Sequence, residues 1–312
     1  MIAVIFPGQG SQKLGIGKAL AAAFPICRDT FAEADAALGE PLSHICFEGP
    51  EERLMLTEYT QPAILTVSVA AYRLLASCGL QPAFLAGHSL GEYSAHVAAG
   101  TFAFTDAVRI VRRRGRYMQE AVPVGAGAMA AILGLDVRVV TQACEEGAQG
   151  EVVSPANVNS ADQVVIAGTR GAVTRAGERA RALGARRVIA LPVSAPFHCA
   201  LMKPAEERLA PELRALTIQD PRVPVVANVD AEPKRDARAG IEALIAQVCA
   251  PVRWETVVRR LASEGVTTYV EVGPGSVLSG LVRKIQRDAT VATFGSPEDL
   301  AAVEPLIAGR RG

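Results

Sequence analysis

Short apolar segments alternate with amphipathic helical segments through the first part of the chain. Two of the helices have predicted N-caps, which are Thr60, with Pro62 in the following turn, and Thr105. Gly100 is predicted to end the helix between them. The predicted elements are a strand at Ile2–Phe6, a helix at 60–77, a strand at 83–87, a helix ending before Gly100 and a helix at 105–121. This order predicts an α/β fold with a mainly parallel sheet.

The pattern changes after the hinge-like segment 123–127. The elements predicted there are strands at 128–134, 151–158, 163–168 and 186–193 and helices at 136–147 and 171–183. Their order, βαββαβ, is that of the ferredoxin-like split unit. We therefore predict a small inserted domain at 124–195 within a large domain formed by 1–123 and 196–312.

The large domain is predicted to resume near Pro196. Its further elements are a strand at 223–229, helices at 240–249 and 254–264, a strand at 267–272 and a helix at 276–287, with 230–240 as the most loop-like stretch. These segments extend the alternation of strand and helix, so the same sheet is expected to continue through them.

Composition excludes several classes of protein. The 312 residues are half hydrophobic, with 32 basic and 32 acidic side chains, so nothing indicates nucleic-acid or membrane-surface binding. No apolar run reaches the ~18 residues of a membrane span, and the first strand breaks at Pro7-Gly8, unlike a signal peptide. Six scattered cysteines without a CxxC pair indicate reduced thiols in the cytoplasm. Four histidines without metal-ligand spacing predict no metal site.

The run Gly87-His88-Ser89-Leu90-Gly91 joins a predicted strand to a predicted helix. The two glycines permit a tight turn that places a serine hydroxyl at the strand end. The same turn aims backbone N–H groups at the hydroxyl. A nucleophile and oxyanion donors are two requirements of acyl transfer, so Ser89 is the candidate nucleophile.

A serine nucleophile needs a base, and the sequence offers His44, His88, His96 and His198. His198 lies where the chain leaves the predicted small domain, and it follows the serine in sequence as in α/β-hydrolases. The other three are predicted to be structural or solvated, with no function assigned to His96. No acidic residue occupies an obvious strand-end loop between Ser89 and His198, so a backbone carbonyl could orient the imidazole instead.

Arg114 differs from the other arginines of its predicted helix. Its neighbours three and four positions away are Ile110, Val111, Tyr117 and Met118, which place it on the apolar face toward the core. A buried guanidinium requires an anionic partner. That partner is either an internal Asp or Glu or the carboxylate of a substrate, and the residues alone favour neither.

The loop Phe6-Pro7-Gly8-Gln9-Gly10 follows the first strand. A dinucleotide fingerprint would need a third glycine at position 13, which is lysine, so that interpretation is weak. Its glycines expose backbone N–H groups at the carboxyl end of a strand. An oxyanion donor from this loop fits better.

Taken together, these residues resemble the malonyl-CoA:acyl carrier protein transacylase family, whose members load extender units for fatty acid synthesis. The resemblance covers essentially the whole chain. The motifs that carry it are Phe6-Pro-Gly-Gln-Gly-Ser-Gln12, Thr60-Gln-Pro62, Gly87-His-Ser-Leu-Gly-Glu92, Arg114-Gly115 with Met118-Gln119, Ser154 to Asn159, Val193 to His198, Gln247 ahead of Pro251-Val252 and Trp254, and Glu271-Val-Gly-Pro-Gly275.

The resemblance implies a hydrolase-like large domain with a ferredoxin-like insert, and a role for each matched residue. Ser89 would be the acylated nucleophile and His198 its general base, oriented by the carbonyl of Gln247. The remaining roles are oxyanion donors at the backbone N–H groups of Gln9 and Leu90, a malonyl-carboxylate ligand at Arg114, and further acyl-site contacts at Met118 and Phe197. No cofactor is implied beyond the substrate malonyl-CoA and the phosphopantetheine of the acyl carrier protein.

The resemblance further implies an enzyme of fatty acid or polyketide synthesis. The cysteines predict that it acts in the cytoplasm, and nothing in the sequence requires more than a monomer. Phe197 stands at a position that varies within the family, and its bulk is expected to favour malonyl over methylmalonyl groups. Two other classes are kept as alternatives. A serine esterase or thioesterase would share the elbow but would not need a buried arginine. A non-catalytic carrier-binding module would need none of Ser89, His198 and Arg114.

Overall fold

The computed structural model describes residues 1–193 and 195–308, so residue 194 and residues 309–312 of the predicted domain ranges lie outside the described residues. The strands are β1 (Ile2–Phe6), β2 (Phe84–Gly87), β3 (Gly127–Leu133), β4 (Val153–Ser160), β5 (Gln163–Thr169), β6 (Arg187–Ala190), β7 (Val225–Val226), β8 (Pro233–Lys234), β9 (Thr268–Val272) and β10 (Thr290–Phe294). The α-helices are α1 (Lys18–Ala23), α2 (Pro25–Leu38), α3 (Leu42–Phe47), α4 (Glu51–Leu54), α5 (Thr57–Ser77), α6 (Leu90–Ala99), α7 (Phe104–Glu120), α8 (Val137–Ala148), α9 (Arg170–Ala182), α10 (Lys203–Arg214), α11 (Ala237–Ala246), α12 (Trp254–Ser263), α13 (Val277–Ile285) and α14 (Leu300–Ala308). None of the helices in these ranges has both the length and the apolar character needed to cross a bilayer.

The larger sheet has the strand order β10-β9-β1-β2-β7-β8 and is parallel except for the β7–β8 pair. β1 lies in its interior, and all five of its residues are buried. Val4 and Phe6 join the hydrophobic core on one face, whereas Ala3 and Ile5 join the core on the other. Because successive side chains of a strand point to opposite faces, an all-apolar strand of this kind requires cover on both sides.

The smaller sheet has the order β4-β5-β3-β6 and is antiparallel throughout. Helices α8 and α9 pack on it and share a separate hydrophobic core with it. Side chains cap both helices, since Asp136 accepts from two backbone N–H groups of α8 and Thr169 from one of α9. The predicted fold class, a mainly parallel α/β sheet with an inserted βαββαβ unit, is confirmed. The exact domain boundaries stay predictions.

Two predicted helix caps are wrong. Thr60 lies inside α5, which begins at Thr57, and its hydroxyl donates to the carbonyl of Leu54 at 2.6 Å. The additional turn packs against α7 at Gly115, where a Cβ would lie only 2.6 Å from the carbonyl oxygen of Thr57. Tertiary packing therefore extends α5 beyond the cap that the sequence indicates. Thr105 likewise lies inside α7, one residue after its start.

The strand predicted at 223–229 is reduced to β7, two residues long. Pro224 has no N–H to donate to the sheet. Beyond β7, Asn228 does not continue the ladder, and its side chain bonds instead to the end of β2, with Nδ2 donating to Gly87 O at 2.7 Å. The short strand thereby places a polar side chain beside Ser89.

The segment 230–240, predicted as a loop, contains β8 and the start of α11. Asp236 caps α11 by accepting from the backbone N–H of Ala239 at 2.8 Å. The helix predicted at 240–249 therefore begins three residues earlier and ends at Ala246. Because the last four carbonyls of a helix lack intrahelical partners, the carbonyl of Gln247 at this end is available to another group.

Candidate active site

Ser89 lies in the turn between β2 and α6, with a φ of 51°. A Cβ on Gly87 would lie 1.9 Å from the carbonyl carbon of Gly91, and a Cβ on Gly91 would lie 2.1 Å from the carbonyl oxygen of Phe6. No side chain fits at either glycine, and this is why the strand and the helix can approach so closely. The left-handed φ of Ser89 is a strained conformation that the surrounding structure maintains. The predicted strand, turn and helix are thus present.

His198 is the histidine that contacts Ser89. Its Nε2 lies 2.7 Å from Ser89 Oγ, and its Nδ1 lies 2.8 Å from the backbone carbonyl oxygen of Gln247. Since a carbonyl only accepts, Nδ1 carries the proton and Nε2 is free to accept the serine proton. Burial, followed by the nearby charge of Arg114, lowers the pKa of His198 to about 3. The imidazole therefore stays neutral near pH 7, the form that a general base requires.

The other three histidines have different surroundings. His88 lies next to the serine and lines the same cavity, but its Nε2 is 2.9 Å from Asn159 Oδ1. His96 is fully buried, and its Nδ1 lies 3.1 Å from Thr101 Oγ1. Burial lowers the pKa of His96 to about 3, so it is a neutral packing residue. His44 is exposed. None of these rings is hydrogen-bonded to Ser89.

Arg114 is 1% exposed, as the helical spacing predicts. Its Nη1 donates to Gln61 Oε1 at 2.8 Å, and its Nη2 donates to Gln247 Oε1 at 2.9 Å and to Ser89 Oγ at 3.2 Å. Every one of these acceptors is neutral. Among the described residues, no carboxylate oxygen lies within 4.0 Å of the guanidinium. An ion pair between Arg114 and an internal Asp or Glu, one of the two alternatives from the sequence, is therefore not formed. The guanidinium is a buried cation that faces the serine hydroxyl.

The predicted oxyanion donors lie beside the elbow. The backbone N–H of Ser89 itself is occupied, since it donates to Asn228 Oδ1 at 2.7 Å. Leu90 is the first residue of α6, where a backbone N–H has no intrahelical acceptor. The loop carrying Gln9 packs directly on the turn, because a Cβ on Gly8 would lie 2.5 Å from a carbonyl oxygen there. Both Gln9 and Leu90 line the cavity at Ser89, and their role as donors stays a prediction.

A cavity of about 120 Å³ lies over the serine, between the large sheet and the inserted unit. Its lining includes these predicted site residues: Gln9, Ser89, Leu90, Arg114, Met118, Phe197 and His198. Gln247 contacts the site from behind His198. A second cavity of about 260 Å³ adjoins the first and shares Gln9, His88, Asn157 and Leu191 with it. A larger cavity of about 610 Å³ lies toward the other ends of α5 and α6 and contains none of the predicted site residues.

Three polar residues of the site were not assigned from the sequence. Gln61 bonds to the guanidinium, Asn228 to the serine N–H, and Glu92 to both Asn228 and Gln247. Gln61 and Glu92 belong to motifs that carry the resemblance, so their positions in these motifs could have identified them as site residues. Asn228 stands in no such motif, and only the short length of β7 places it against the elbow.

A serine held in a strained elbow, a neutral imidazole and a buried guanidinium on a mainly parallel sheet together define an enzyme of the acyl-transferring class. The comparison with protein families agrees with this class. The family model described as the acyl transferase domain matches residues 4–299, and the chain belongs to this family.

The chain is also similar to individual curated proteins over nearly its full length. It is 52% identical over 305 residues to the malonyl CoA-acyl carrier protein transacylase of Escherichia coli strain K12, covering 97% of this chain and 99% of that protein. The identity to the protein of the same name from Bacillus subtilis strain 168 is 48% over 300 residues, covering 96% and 95%.

Solved structures give the same result. The malonyl CoA-acyl carrier protein transacylase from Coxiella burnetii superposes with a TM-score of 0.96 at 43% identity, covering 98% of this chain and 97% of that one. A malonyl-transacylase in complex with its type II PKS acyl-carrier protein also superposes with a TM-score of 0.96, at 47% identity, covering 98% and 99%.

Proposed function

We propose that this chain transfers the malonyl group of malonyl-CoA to the phosphopantetheine thiol of an acyl carrier protein, through a malonyl-serine intermediate. The observation that carries the proposal is the buried guanidinium of Arg114, 3.2 Å from Ser89 Oγ and without a carboxylate partner among the described residues. A buried cation is stabilised by an anion, and the planar guanidinium matches a carboxylate with two parallel hydrogen bonds. The malonyl thioester supplies that carboxylate next to its reacting carbonyl.

In the first half-reaction, Ser89 Oγ attacks the thioester carbonyl carbon while its proton moves to Nε2 of His198. The oxygen of the tetrahedral intermediate becomes negative and accepts hydrogen bonds from the backbone N–H groups of Gln9 and Leu90. The intermediate then breaks its C–S bond. Coenzyme A leaves as the thiol, taking the proton from His198, and the malonyl group remains as an ester on Ser89. Arg114 holds the acyl carboxylate in place throughout.

The second half-reaction reverses these steps with a different thiol. The phosphopantetheine sulfur attacks the malonyl-serine carbonyl, His198 accepts the thiol proton, and this proton returns to Ser89 Oγ as the ester bond breaks. The kinetics are therefore ping-pong. The nucleophile, the base and the donors all come from the chain, so the proposal includes no metal and no prosthetic group.

Transfer to the carrier is expected to exceed hydrolysis by orders of magnitude. The experiment incubates the enzyme with malonyl-CoA, with and without a carrier protein bearing phosphopantetheine, and quantifies malonyl-carrier and free malonate by mass spectrometry. The matched control is the same carrier without its phosphopantetheine arm, which should accept nothing. Carriers of the fatty acid type and of the polyketide type are compared in parallel, because the site chemistry serves both.

Free malonate formed at the same rate with and without the carrier would contradict the proposal and identify a serine thioesterase. Failure of malonyl-CoA to label the enzyme at all would instead identify a non-catalytic carrier-binding module. A rate advantage for one carrier type would assign the enzyme to fatty acid or to polyketide synthesis.

Malonyl-CoA is expected to react about 10- to 200-fold faster than methylmalonyl-CoA, measured as kcat/KM. Phe197 lines the cavity and is nearly fully buried, so it takes up space beside the acyl group. Exclusion of one methyl group is worth about 1–3 kcal/mol, which corresponds to that range. Phe197→Ala should reduce the preference by enlarging the cavity. Equal kcat/KM values for the two donors in the wild-type enzyme would show that Phe197 does not select the acyl group.

We further propose that the protein acts in the cytoplasm as a monomer. All six cysteines are free thiols, which fits a reducing compartment. Every group that the mechanism uses comes from one chain, so no partner subunit is needed to complete the site.

A further inference from the structure

Glu92 is a buried carboxylate close to the reacting groups that the mechanism does not use. It lies in the first turn of α6 and is 0% exposed. Its Oε2 accepts from Gln247 Nε2 at 2.7 Å and from the backbone N–H of Asn228 at 3.0 Å. Burial of a charged group is costly unless its hydrogen bonds compensate, so a carboxylate in this position calls for a function.

Through Asn228, Glu92 supports the backbone of the elbow. The side chain of Asn228 accepts from the N–H of Ser89 at 2.7 Å and donates to the carbonyl of Gly87 at 2.7 Å. The backbone N–H of Asn228 is bound by Glu92. Loss of this support would affect every acyl donor equally, because all of them react at the same serine.

Through Gln247, Glu92 acts on the guanidinium. The Nε2 of Gln247 donates to Glu92 and to the carbonyl of Ser89, and its Oε1 accepts from Arg114 Nη2 at 2.9 Å. An ionised carboxylate can only accept hydrogen bonds, so it requires the NH2 end of the Gln247 carboxamide. The oxygen end must then face Arg114. The reversed carboxamide would direct its NH2 at a guanidinium that has only donors.

We propose that Glu92 is a positioning residue, which acts as the acceptor that holds the Gln247 carboxamide with its oxygen toward Arg114 and so keeps the guanidinium directed at the malonyl carboxylate. This inference rests on the proposed malonyl transfer and deepens it. It assigns the selectivity for a carboxylated acyl group to a chain of contacts, Glu92 to Gln247 to Arg114, and not to the arginine alone.

Three charged or titratable groups surround this carboxylate: Arg114 from α7, Asp230 from the loop after β7, and Tyr93 from α6 itself. Burial raises the pKa of Glu92 to about 7, against the hydrogen bonds from Gln247 and Asn228. Assays at about pH 8 therefore keep Glu92 mostly ionised. The test is made under that condition.

The readout is the ratio of kcat/KM for malonyl-CoA to kcat/KM for acetyl-CoA, which lacks the carboxylate. Glu92→Ala is expected to lower this ratio about tenfold or more, because the Gln247 NH2 loses its charged acceptor at 2.7 Å and keeps only the neutral carbonyl of Ser89 at 3.0 Å, which holds the carboxamide less firmly. Glu92→Gln retains an oxygen at the same place and should keep the ratio within about threefold of wild type. Glu92→Met, which fills the volume without offering an oxygen acceptor, replaces Glu92→Ala if circular dichroism shows that the alanine variant is unfolded.

A double-mutant cycle tests whether the effect passes through Gln247. Gln247→Ala removes the carboxamide but keeps the backbone carbonyl that binds His198. The double variant with Glu92→Ala should have the same ratio as Gln247→Ala alone. The matched control is Glu271→Gln, a change at another buried carboxylate, which accepts from two backbone N–H groups of α13 and has no hydrogen bond to Gln247 or Arg114 among the described residues. It should leave the ratio unchanged.

Equal losses for both donors in Glu92→Ala would overturn the inference, since a purely structural role lowers both rates together. A ratio in Glu92→Gln as low as in Gln247→Ala would also overturn it, as would additive effects in the cycle. A wild-type enzyme without preference for malonyl-CoA, or one whose ratio survives Arg114→Ala, would instead contradict the proposed function itself. The two failures are therefore distinguishable.

Discussion

Ser89→Ala is expected to abolish the malonyl-enzyme adduct that mass spectrometry detects after incubation of the wild-type enzyme with malonyl-CoA. The alanine lacks the oxygen that forms the ester. Ser89 Oγ is the hydrogen-bond partner of His198 Nε2, so no neighbouring side chain is placed to act as nucleophile when this oxygen is removed. Transfer to the carrier should fall by at least about 10⁴-fold, the scale of losses when a catalytic nucleophile is removed.

A matched control for this variant lies on the same helix. Ser94 is fully buried in α6, and its hydroxyl has no hydrogen-bond partner among the described residues. Ser94→Ala should therefore retain the adduct and most of the transfer rate. Persistence of the adduct in Ser89→Ala, or its loss in Ser94→Ala, would show that the elbow serine is not the acylated group.

Arg114→Ala is expected to reduce kcat/KM for malonyl-CoA by about 10²- to 10³-fold more than kcat/KM for acetyl-CoA. Loss of one partner from a buried, hydrogen-bonded charge pair costs about 2–5 kcal/mol, and only the malonyl group forms such a pair with the guanidinium. Steady-state kinetics with both donors measure the difference directly. The acetyl rate serves as an internal reference for any general disturbance of the site.

The control is Arg116→Ala, a change at an exposed arginine on the same helix that lies 3.9 Å from Glu120. Exposed ion pairs contribute little, so both rates should stay near those of the wild-type enzyme. If Arg114→Ala reduced the malonyl and acetyl rates by the same factor, the arginine would be a structural residue, and the main support for malonyl transfer would be lost.

The sequence was most informative where a local pattern has a direct structural cause. Gly87 and Gly91 flank Ser89 because only glycine fits there, so the elbow could be predicted from five residues. The 3.6-residue period placed Arg114 on the buried face of its helix. The small unit was predicted well because side chains cap its two helices and its strands alternate with them in a familiar order.

Other elements carry no such signal. The four helices between β1 and α5 lack side-chain caps, and none of them was predicted. The partners of Arg114 could not be derived either. Gln61 and Gln247 lie 53 and 133 positions away from it along the chain and meet it only after the sheet has formed. A periodic pattern predicts that a side chain is buried, but it does not reveal which distant loop supplies the hydrogen bond.

The carbonyl of Gln247 determines how the orientation of His198 responds to pH. In a serine protease an aspartate accepts the hydrogen bond from the second imidazole nitrogen, whereas here a neutral main-chain oxygen occupies that place. A main-chain carbonyl has no proton to gain in the acid range, so the hydrogen bond that fixes the imidazole tautomer persists at acid pH values at which a carboxylate acceptor would be protonated.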